Sequence, residues 1–420
     1  LSKSGADTRS NPSRPKPKQS FVGLLFGHQE SGLVLVIALM MAALTVYGML
    51  SPIEQKTPIV VDANATIVLL DSSGQEHEHL VRTQIAGYRV TLDGQVTDYT
   101  SETIERYESD SRTLWEFHSA NRFLNKANLV QIAKNASFFA IMAVGMTGVI
   151  ILAGIDLSVG SIYGLSAIVG AMAMNALGTD ASLLVSIPVG IGVCVGVGAL
   201  CGLANGSMSV GFNVHPFVIT LGMMATLRGL TVFLSQHFYG KQSIGNLPQS
   251  FQKGFIKAEF MGVYPVPIVF MILVTIAGWF VLSRTVLGRR IMAIGGNETA
   301  AKYAGIPVGR VKIFVYTITG ALAGLSAAIY IGYLGSAETN AGNAYELQVI
   351  AATVIGGASL MGGRGTALGA VLGAIIIQLI GNAMVILNVD PSVNQIVMGA
   401  AIVLAVIIDQ TKQKLARRKA

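Results

Sequence analysis

Long apolar runs recur along almost the whole chain, and polar residues are confined to the stretches between them. A helix needs about 20 predominantly apolar residues to cross the hydrocarbon of a bilayer. Runs that meet or approach this length cover residues 32–50, 129–153, 157–177, 183–210, 217–234, 266–282, 313–334, 347–361, 367–387 and 395–408. The expected fold is an all-α integral membrane protein of about ten transmembrane helices. The run 347–361 is short and contains glycine, so it is expected to be broken or tilted. Only 12% of the residues are charged, against about 25% in a soluble domain, so polar groups cannot cover a water-facing surface. The 48 glycines fit a bundle whose helices approach closely.

Charge sets the orientation. The N-terminal tail carries Lys3, Arg9, Arg14, Lys16 and Lys18, and the C-terminal tail carries Lys412, Lys414, Arg417, Arg418 and Lys419. Ten spans put both tails on one side, and the positive-inside rule makes that side the cytoplasm. Parity then places loop 283–310 inside, with Arg284, Arg289, Arg290, Lys302 and Arg310. Of the 22 acidic residues, 12 fall in 51–126, which parity places outside. This distribution is a topology signal, not a nucleic-acid footprint. The organisation read from it is a basic tail (1–31), a first span (32–50), an external insertion (51–126), a membrane core (127–410) and a second basic tail (411–420).

The first thirty residues are mostly polar and basic, which is unlike a cleavable signal peptide. The insertion reads as a small α/β module. Residues 59–70 are rich in β-branched side chains, 88–100 alternate around Asp93-Gly94, and 101–117 is expected to be a polar helix. Cys194 and Cys201 share one apolar run and read as packing residues. Glycines spaced by four at 192/196, 198/202/206, 320/324 and 365/369/373 predict close helix contacts.

The most informative loop is GRRIMAIGGNETAAKYAGIPVGR, 288–310. Asn297 is a good N-cap and Glu298 suits a first turn. Gly305 stops the helix and Pro307 prevents its continuation. A helix of about two turns is marginal alone and needs a partner surface. Its small side chains suit a groove on another protein; an ordinary surface helix is the plainer alternative.

The segment ETAAKYAG resembles the Glu-x-Ala-Ala-x-x-x-Gly coupling segment of permease subunits in ATP-binding-cassette importers. GMTGVIILAGIDLSVGS (145–161), NVHPFVITLG (213–222), AIGGNETAAKYAGI (293–306) and YELQVIAATVIGGASLMGGRG (345–365) are similar to the ribose, galactose and xylose type permeases. The resemblance covers about 127–412 and the first helix, whereas 51–126 departs from the usual short external loop. It implies a pathway of two permease chains, a cytoplasmic ATPase beneath them and a periplasmic sugar-binding protein above. It also implies that Gly296, Asn297, Glu298, Ala300, Ala301, Gly305 and Ile306 contact the ATPase, which carries the ATP and Mg. The chain itself lacks a phosphate loop: Gly240-Lys241 is followed by Gln242, and position 235 is serine.

Polar residues within the runs are the candidates for a pathway or gate. Asp156 and Ser158 sit at a joint between runs, where capping is the alternative. Arg228 lies inside a span and needs a partner, for which Glu346 is a candidate. Asn205, Asn213, Gln348 and Asn382 could hydrogen-bond a sugar or merely join helices. No nucleophile and base pair stands out, so a membrane enzyme is rejected. The remaining alternative is an ion-coupled transporter or channel for a small polar solute. It needs intramembrane carboxylates, and Asp156 and Glu346 both lie near span ends.

Overall fold

The structure is a computed structural model describing residues 29–61, 66–70, 75–77, 87–92, 95–100, 107–110, 113–260 and 263–390, with isolated positions out to 407. Among the described residues, eight helices are long and apolar enough to cross a membrane. They are α1 (Gln29–Leu50), α2 (Lys126–Ile151), α3 (Val159–Leu177), α4 (Leu183–Gly211), α5 (Pro216–Tyr239), α6 (Pro265–Arg284), α9 (Val308–Leu334) and α11 (Ala367–Ile386). Among the shorter helices between them are α7 (Val286–Gly296), α8 (Glu298–Tyr303) and α10 (Tyr345–Ile355), and a single turn, Gln249–Phe251, runs into the π-helical turn Gln252–Ile256 between α5 and α6. The run expected at 395–408 lies mostly outside the described residues.

Local chemistry sets the helix ends. Asn125 starts α2 by accepting from the Ala127 amide at 2.9 Å, and Thr366 does the same for α11 through the Gly369 amide at 3.0 Å. Pro216 follows the cap at His215 and opens α5, where its missing N–H costs nothing. Gly240 and Gly335 end α5 and α9 in the left-handed region.

The core is built around α2, whose residues from Ala136 to Ile151 are almost all buried. Helices α6, α9, α10 and α11 pack on it, while α3 packs on α4, α5 and α9. Helix α1 lies on the outside of α11, where Leu44, Phe123, Leu379 and Ile386 form a small cluster of their own. Arg122 ties the chain entering α2 to the end of α11 by donating to the Ile386 carbonyl at 2.8 Å.

The segment between α1 and α2 forms two antiparallel sheets, ordered β1-β7-β6 and β3-β2-β4-β5. Their strands are β1 (Ile53–Val61), β2 (Thr66–Leu70), β3 (Glu76–His77), β4 (Gly87–Leu92), β5 (Gln95–Thr100), β6 (Tyr107–Asp110) and β7 (Thr113–Ala120). The strands expected within 88–100 are β4 and β5, which pair antiparallel with Leu92 opposite Gln95. The helix expected over 101–117 is corrected: 107–110 and 113–117 are strand, and 101–106 lie outside the described residues. Alternation in Trp115-Glu116-Phe117-His118 suits a strand, and β7 pairs with β1 from Ile53↔Ala120 to Val61↔Thr113. Pairing the first residues of the insertion with its last brings the chain entering α2 back to the end of α1, where Asn121 donates to the Thr45 carbonyl at 3.0 Å.

Glycine contacts hold the largest helix pair, α4 on α9. A Cβ at Gly198 would collide with the Gly320 carbonyl, and one at Gly202 with the Tyr316 carbonyl. On α11, Gly369 and Gly373 meet the backbone at Gly356 and Ala352 in the same way. Gly192 and Gly196 differ: a Cβ there meets nothing within 4 Å, so this pair does not make the expected contact. Those two glycines lie on a face of α4 turned away from α9. Substitution to leucine separates the two faces. Gly202→Leu is expected to lower the melting temperature of the purified protein, at a cost of at least about 1–3 kcal/mol for overpacking. Gly196→Leu is expected to leave it nearly unchanged, and equal losses would contradict this packing.

Candidate functional site

Two regions gather the polar residues of the membrane core, and a glycine-lined joint connects them. The first is at the end of the bundle that carries α7 and α8. Thr285 caps α7, and Asn297 ends α7 while capping α8, its side chain accepting from the Ala300 amide at 2.9 Å. Gly305, at φ +76°, turns the chain so that the Ile306 amide reaches the Ala301 carbonyl at 3.0 Å. Ala301 is buried and Ile306 packs against the core. Glu298 fixes the short helix laterally, accepting from Lys312 of α9 at 2.8 Å and pairing with Lys302 at 2.9 Å. Ala300, Lys302, Tyr303, Ala304 and Gly305 remain exposed, and Tyr303 is 89% exposed. A polar cleft of about 440 Å³ beside Glu298 is lined also by Asn213, His215 and Lys312. Asn213 therefore stands with this outer surface rather than within the bundle.

The joint lies directly behind. Gly295 of α7 packs against the Ile151 carbonyl at the end of α2, where a Cβ would collide. The Gly363 amide donates to that same carbonyl at 2.8 Å. A Cβ on Gly362, itself at φ +85°, would lie 2.5 Å from the Gly295 carbonyl. Three backbones thus meet with no side chain between them, and one of them, at Gly362 and Gly363, joins the end of α10 to α11.

The second region lies within the bundle, where two helices begin at depth. Helix α3 starts at Val159 after an unwound stretch, 152–158. Asp156 braces the stretch that enters it: Oδ1 accepts from the Ser158 amide at 2.8 Å and from the Ser158 hydroxyl at 2.6 Å, Ser158 being the N-cap residue of α3. Asn205 of α4 donates to the Ser158 hydroxyl at 2.7 Å, and the Thr220 hydroxyl of α5 donates to the Ile155 carbonyl at 3.2 Å. Asp156, Ser158 and Asn205 are fully buried. Among the described residues, Asp156 Oδ2, Asn205 Oδ1 and the Tyr316 hydroxyl have no hydrogen-bond partner.

The second broken helix is α10. After α9 ends, residues 335–344 return into the bundle without helical structure, apart from the two-residue strand β9 (Ala337–Glu338) paired with β8 (Ser243–Ile244). Gly342 (φ +73°) and Ala344 (φ +60°) turn this stretch into α10. The run expected to be broken or tilted is an 11-residue helix with an unwound entry. Its first turn meets the first turn of α3: a Cβ on Gly160 would lie 2.5 Å from the Gly342 carbonyl and from Glu346 Oε2.

Arg228 holds the unwound entry. It is the thirteenth of the 24 residues of α5, about 18 Å from the start of the helix at 1.5 Å per residue. Its Nη1 donates to the Ala341 carbonyl at 2.8 Å and to the Thr339 carbonyl at 3.3 Å. Glu346 feels its charge but is not among its hydrogen-bond partners. The expected direct ion pair is replaced by backbone carbonyls that need a donor at this depth. Gln348 is half-buried in the same helix. Asn382 stands apart, in a reciprocal amide pair with Asn128 of α2.

The family model for the branched-chain amino acid transport system / permease component matches residues 128–406, most of the chain. The chain belongs to this family. Similar to this permease are the ribose import permease protein RbsC of Escherichia coli, 39% identical over 302 residues, and the D-allose transport system permease protein AlsC of the same organism, 39% identical over 296 residues. The alignments cover 69% and 70% of this permease and 88% and 87% of those relatives. The galactose/methyl galactoside import permease protein MglC of E. coli is 34% identical over 307 residues, covering 71% and 90%. No solved structure matches. The protein is a multi-pass inner-membrane permease component, not an enzyme.

Sequence reasoning missed Thr220, Tyr303 and Tyr316. Thr220 and Tyr316 are polar side chains inside apolar runs, the same signal that singled out Asn205. Tyr303 was hidden within a motif read for its small residues.

The hydrogen bond from Lys312 holds the Glu298 carboxyl below the usual carboxylate range, with Lys302 adding to the effect against partial burial. A carboxyl depressed by folding contributes stability above its unfolded-state value and loses it as pH falls through the folded-state value. The α8 contact is therefore intact at neutral pH and weakens in acid. Glu298→Gln is expected to speed hydrogen exchange in α8 at neutral pH by a few-fold, since a part-exposed pair contributes about 1 kcal/mol or less. Equal exchange in the two proteins would remove Glu298 from the docking of α8. Arg228→Leu is expected to destabilise the permease in thermal unfolding by about 1–3 kcal/mol for each carbonyl left without a donor.

Proposed function

We propose that this permease is the translocation subunit of an ATP-driven importer that moves a ribose-, galactose- or xylose-like monosaccharide from periplasm to cytoplasm. The observation that carries the reading is the likeness, over most of each chain, to import permeases for ribose, D-allose and galactose. Two copies of the chain form the pathway, a cytoplasmic ATPase binds ATP and Mg beneath them, and a periplasmic sugar-binding protein delivers the cargo. The charge pattern supports cytoplasmic termini and a periplasmic 51–126.

In this reading α8 is the contact with the ATPase. Its exposed small residues let another protein's backbone come close, and Tyr303 offers a large amphipathic side chain to a pocket. Movement of α8 reaches the membrane through Lys312 and through the joint of Gly295, Ile151 and Gly363. That is rigid-body switching at an interface. The sugar passes the level at which α3 and α10 begin. Hydroxyl groups need donors and acceptors there, and Asp156, Ser158, Asn205, Arg228, Glu346 and Gln348 are the residues that supply them. Discontinuous helices meeting inside a bundle are a recurrent way to place such groups at depth. An ion-coupled transporter finds no observation in its favour.

The test is reconstitution with the partner ATPase and binding protein. Tyr303→Ala and Gly305→Val are each expected to reduce binding-protein-stimulated ATP hydrolysis about tenfold or more, a loss of about 1.4 kcal/mol or more in coupling. Arg228→Lys is expected to lower sugar uptake while leaving assembly with the ATPase intact. Full stimulation in both α8 variants would refute the coupling role.

A further inference from the structure

Among the described residues, Lys134 is a buried cation with no anion beside it. It lies on α2, 6% exposed, toward the end of the bundle opposite α8. Its ammonium donates to Gln131 Oε1 at 2.7 Å and sits 4.2 Å from the centre of the Tyr333 ring. A second ammonium, that of Lys257, lies 5.1 Å from the centre of the same ring. Lys257 follows the π-helical turn Gln252–Ile256 in the segment between α5 and α6. Among the described residues no carboxylate pairs with either lysine, and the nearby Glu259 is exposed and makes no ion pair with them. Two like charges brought to one ring repel each other. Cation–π contact recovers part of that cost, but a desolvated charge ordinarily has a counter-charge. The Gln131 amide nitrogen and the Tyr333 hydroxyl add two more donors.

The depth of this cluster indicates which anion it meets. Helix α2 has 26 residues, about 39 Å at 1.5 Å each, against about 30 Å of hydrocarbon. The Lys134 Cα is then about 7 Å inside the hydrocarbon boundary, within reach of that boundary for an extended lysine side chain. Tyr333 is the penultimate residue of α9. Tyr264 meets Tyr333 edge to face at 5.7 Å, and Phe255 meets Phe270 at 6.4 Å. Tyrosines gathered in this way mark the level of the lipid headgroups. Lys257, Tyr333 and Tyr264 are each partly exposed and Gln131 is exposed, so the cluster is open on the headgroup side.

We propose that Lys134, Lys257, Gln131 and Tyr333 form a phosphate-binding site occupied by the headgroup of an anionic phospholipid. The ammonium groups neutralise the phosphodiester, and the amide and phenol donate to its remaining oxygens. The lipid thereby joins α2, α9 and the segment between α5 and α6. This site lies at the other end of the bundle from the ATPase contact and does not depend on what the permease carries.

The test uses the full-length permease purified in a neutral detergent. Phosphatidylglycerol, phosphatidylcholine and inorganic phosphate are added separately, and bound lipid is read by native mass spectrometry alongside the melting temperature. Phosphatidylglycerol is expected to be retained and to raise the melting temperature. Phosphatidylcholine and inorganic phosphate at equal ionic strength are expected to do neither. Lys257→Gln is expected to reduce phosphatidylglycerol retention about fivefold, and Lys134→Met with Lys257→Gln by about fivefold for each lysine. If Lys134→Met fails to fold, the partly exposed Lys257 carries the test alone. Unchanged retention in Lys257→Gln would overturn the site. A stabilisation by inorganic phosphate that phosphatidylglycerol does not match would overturn the lipid as its occupant.

Discussion

Backbone that leaves the helix inside a bilayer must find partners within the protein, because no water is there to supply them. In this permease the stretch 335–344 leaves the helix between α9 and α10, and Arg228 is the donor that makes this possible. One guanidinium serves the Thr339 and Ala341 carbonyls, while Gly160 and Gly164 of α3 leave the space in which that backbone and the Glu346 carboxylate lie. Without that donor the carbonyls would face apolar surroundings unpaired, and the start of α10 would lose its position against the start of α3. The placement of the polar groups at depth therefore depends on a residue that belongs to neither broken helix.

The outer arrangement serves the same end by a different means. Asn297, Glu298 and Gly305 together make a six-residue helix that would not persist alone. Each corrects one defect of so short an element: a loose start, a loose side and a loose end. The result is a small rigid feature presented on the loop between α6 and α9. Its exposed residues from Ala300 to Gly305 are small apart from Lys302 and Tyr303.

Much of this was legible in the chain. Among the described residues, nine of the expected runs contain a helix, and even the unusual one, 347–361, announced itself by its length and glycines. The cap, first turn and stop of α8 were readable because each uses side-chain or φ chemistry that is local in sequence. What could not be read depended on distance in sequence. Arg228 was correctly marked as needing a partner, but carbonyls more than a hundred residues away left no trace in its neighbourhood. Glycine spacing has the same limit, since 192/196 and 198/202 are identical as patterns and differ only in what stands opposite. The helix expected at 101–117 failed because strand pairing with Ile53–Val61, about sixty residues earlier, outweighed its polar composition.

The glycine contacts between α4 and α9 have a mechanical consequence. Where side chains separate two helices, a push on one is partly absorbed as rotamers shift and the interface yields. Here backbone rests on backbone from Gly206 against Ile313 to Cys194 against Gly324, and nothing between them can give way. The two helices form one stiff bar with negligible compliance. Lys312, which holds α8, and the 213–215 turn beside it lie at the same end of that bar. A displacement applied there arrives in the interior at nearly its full size.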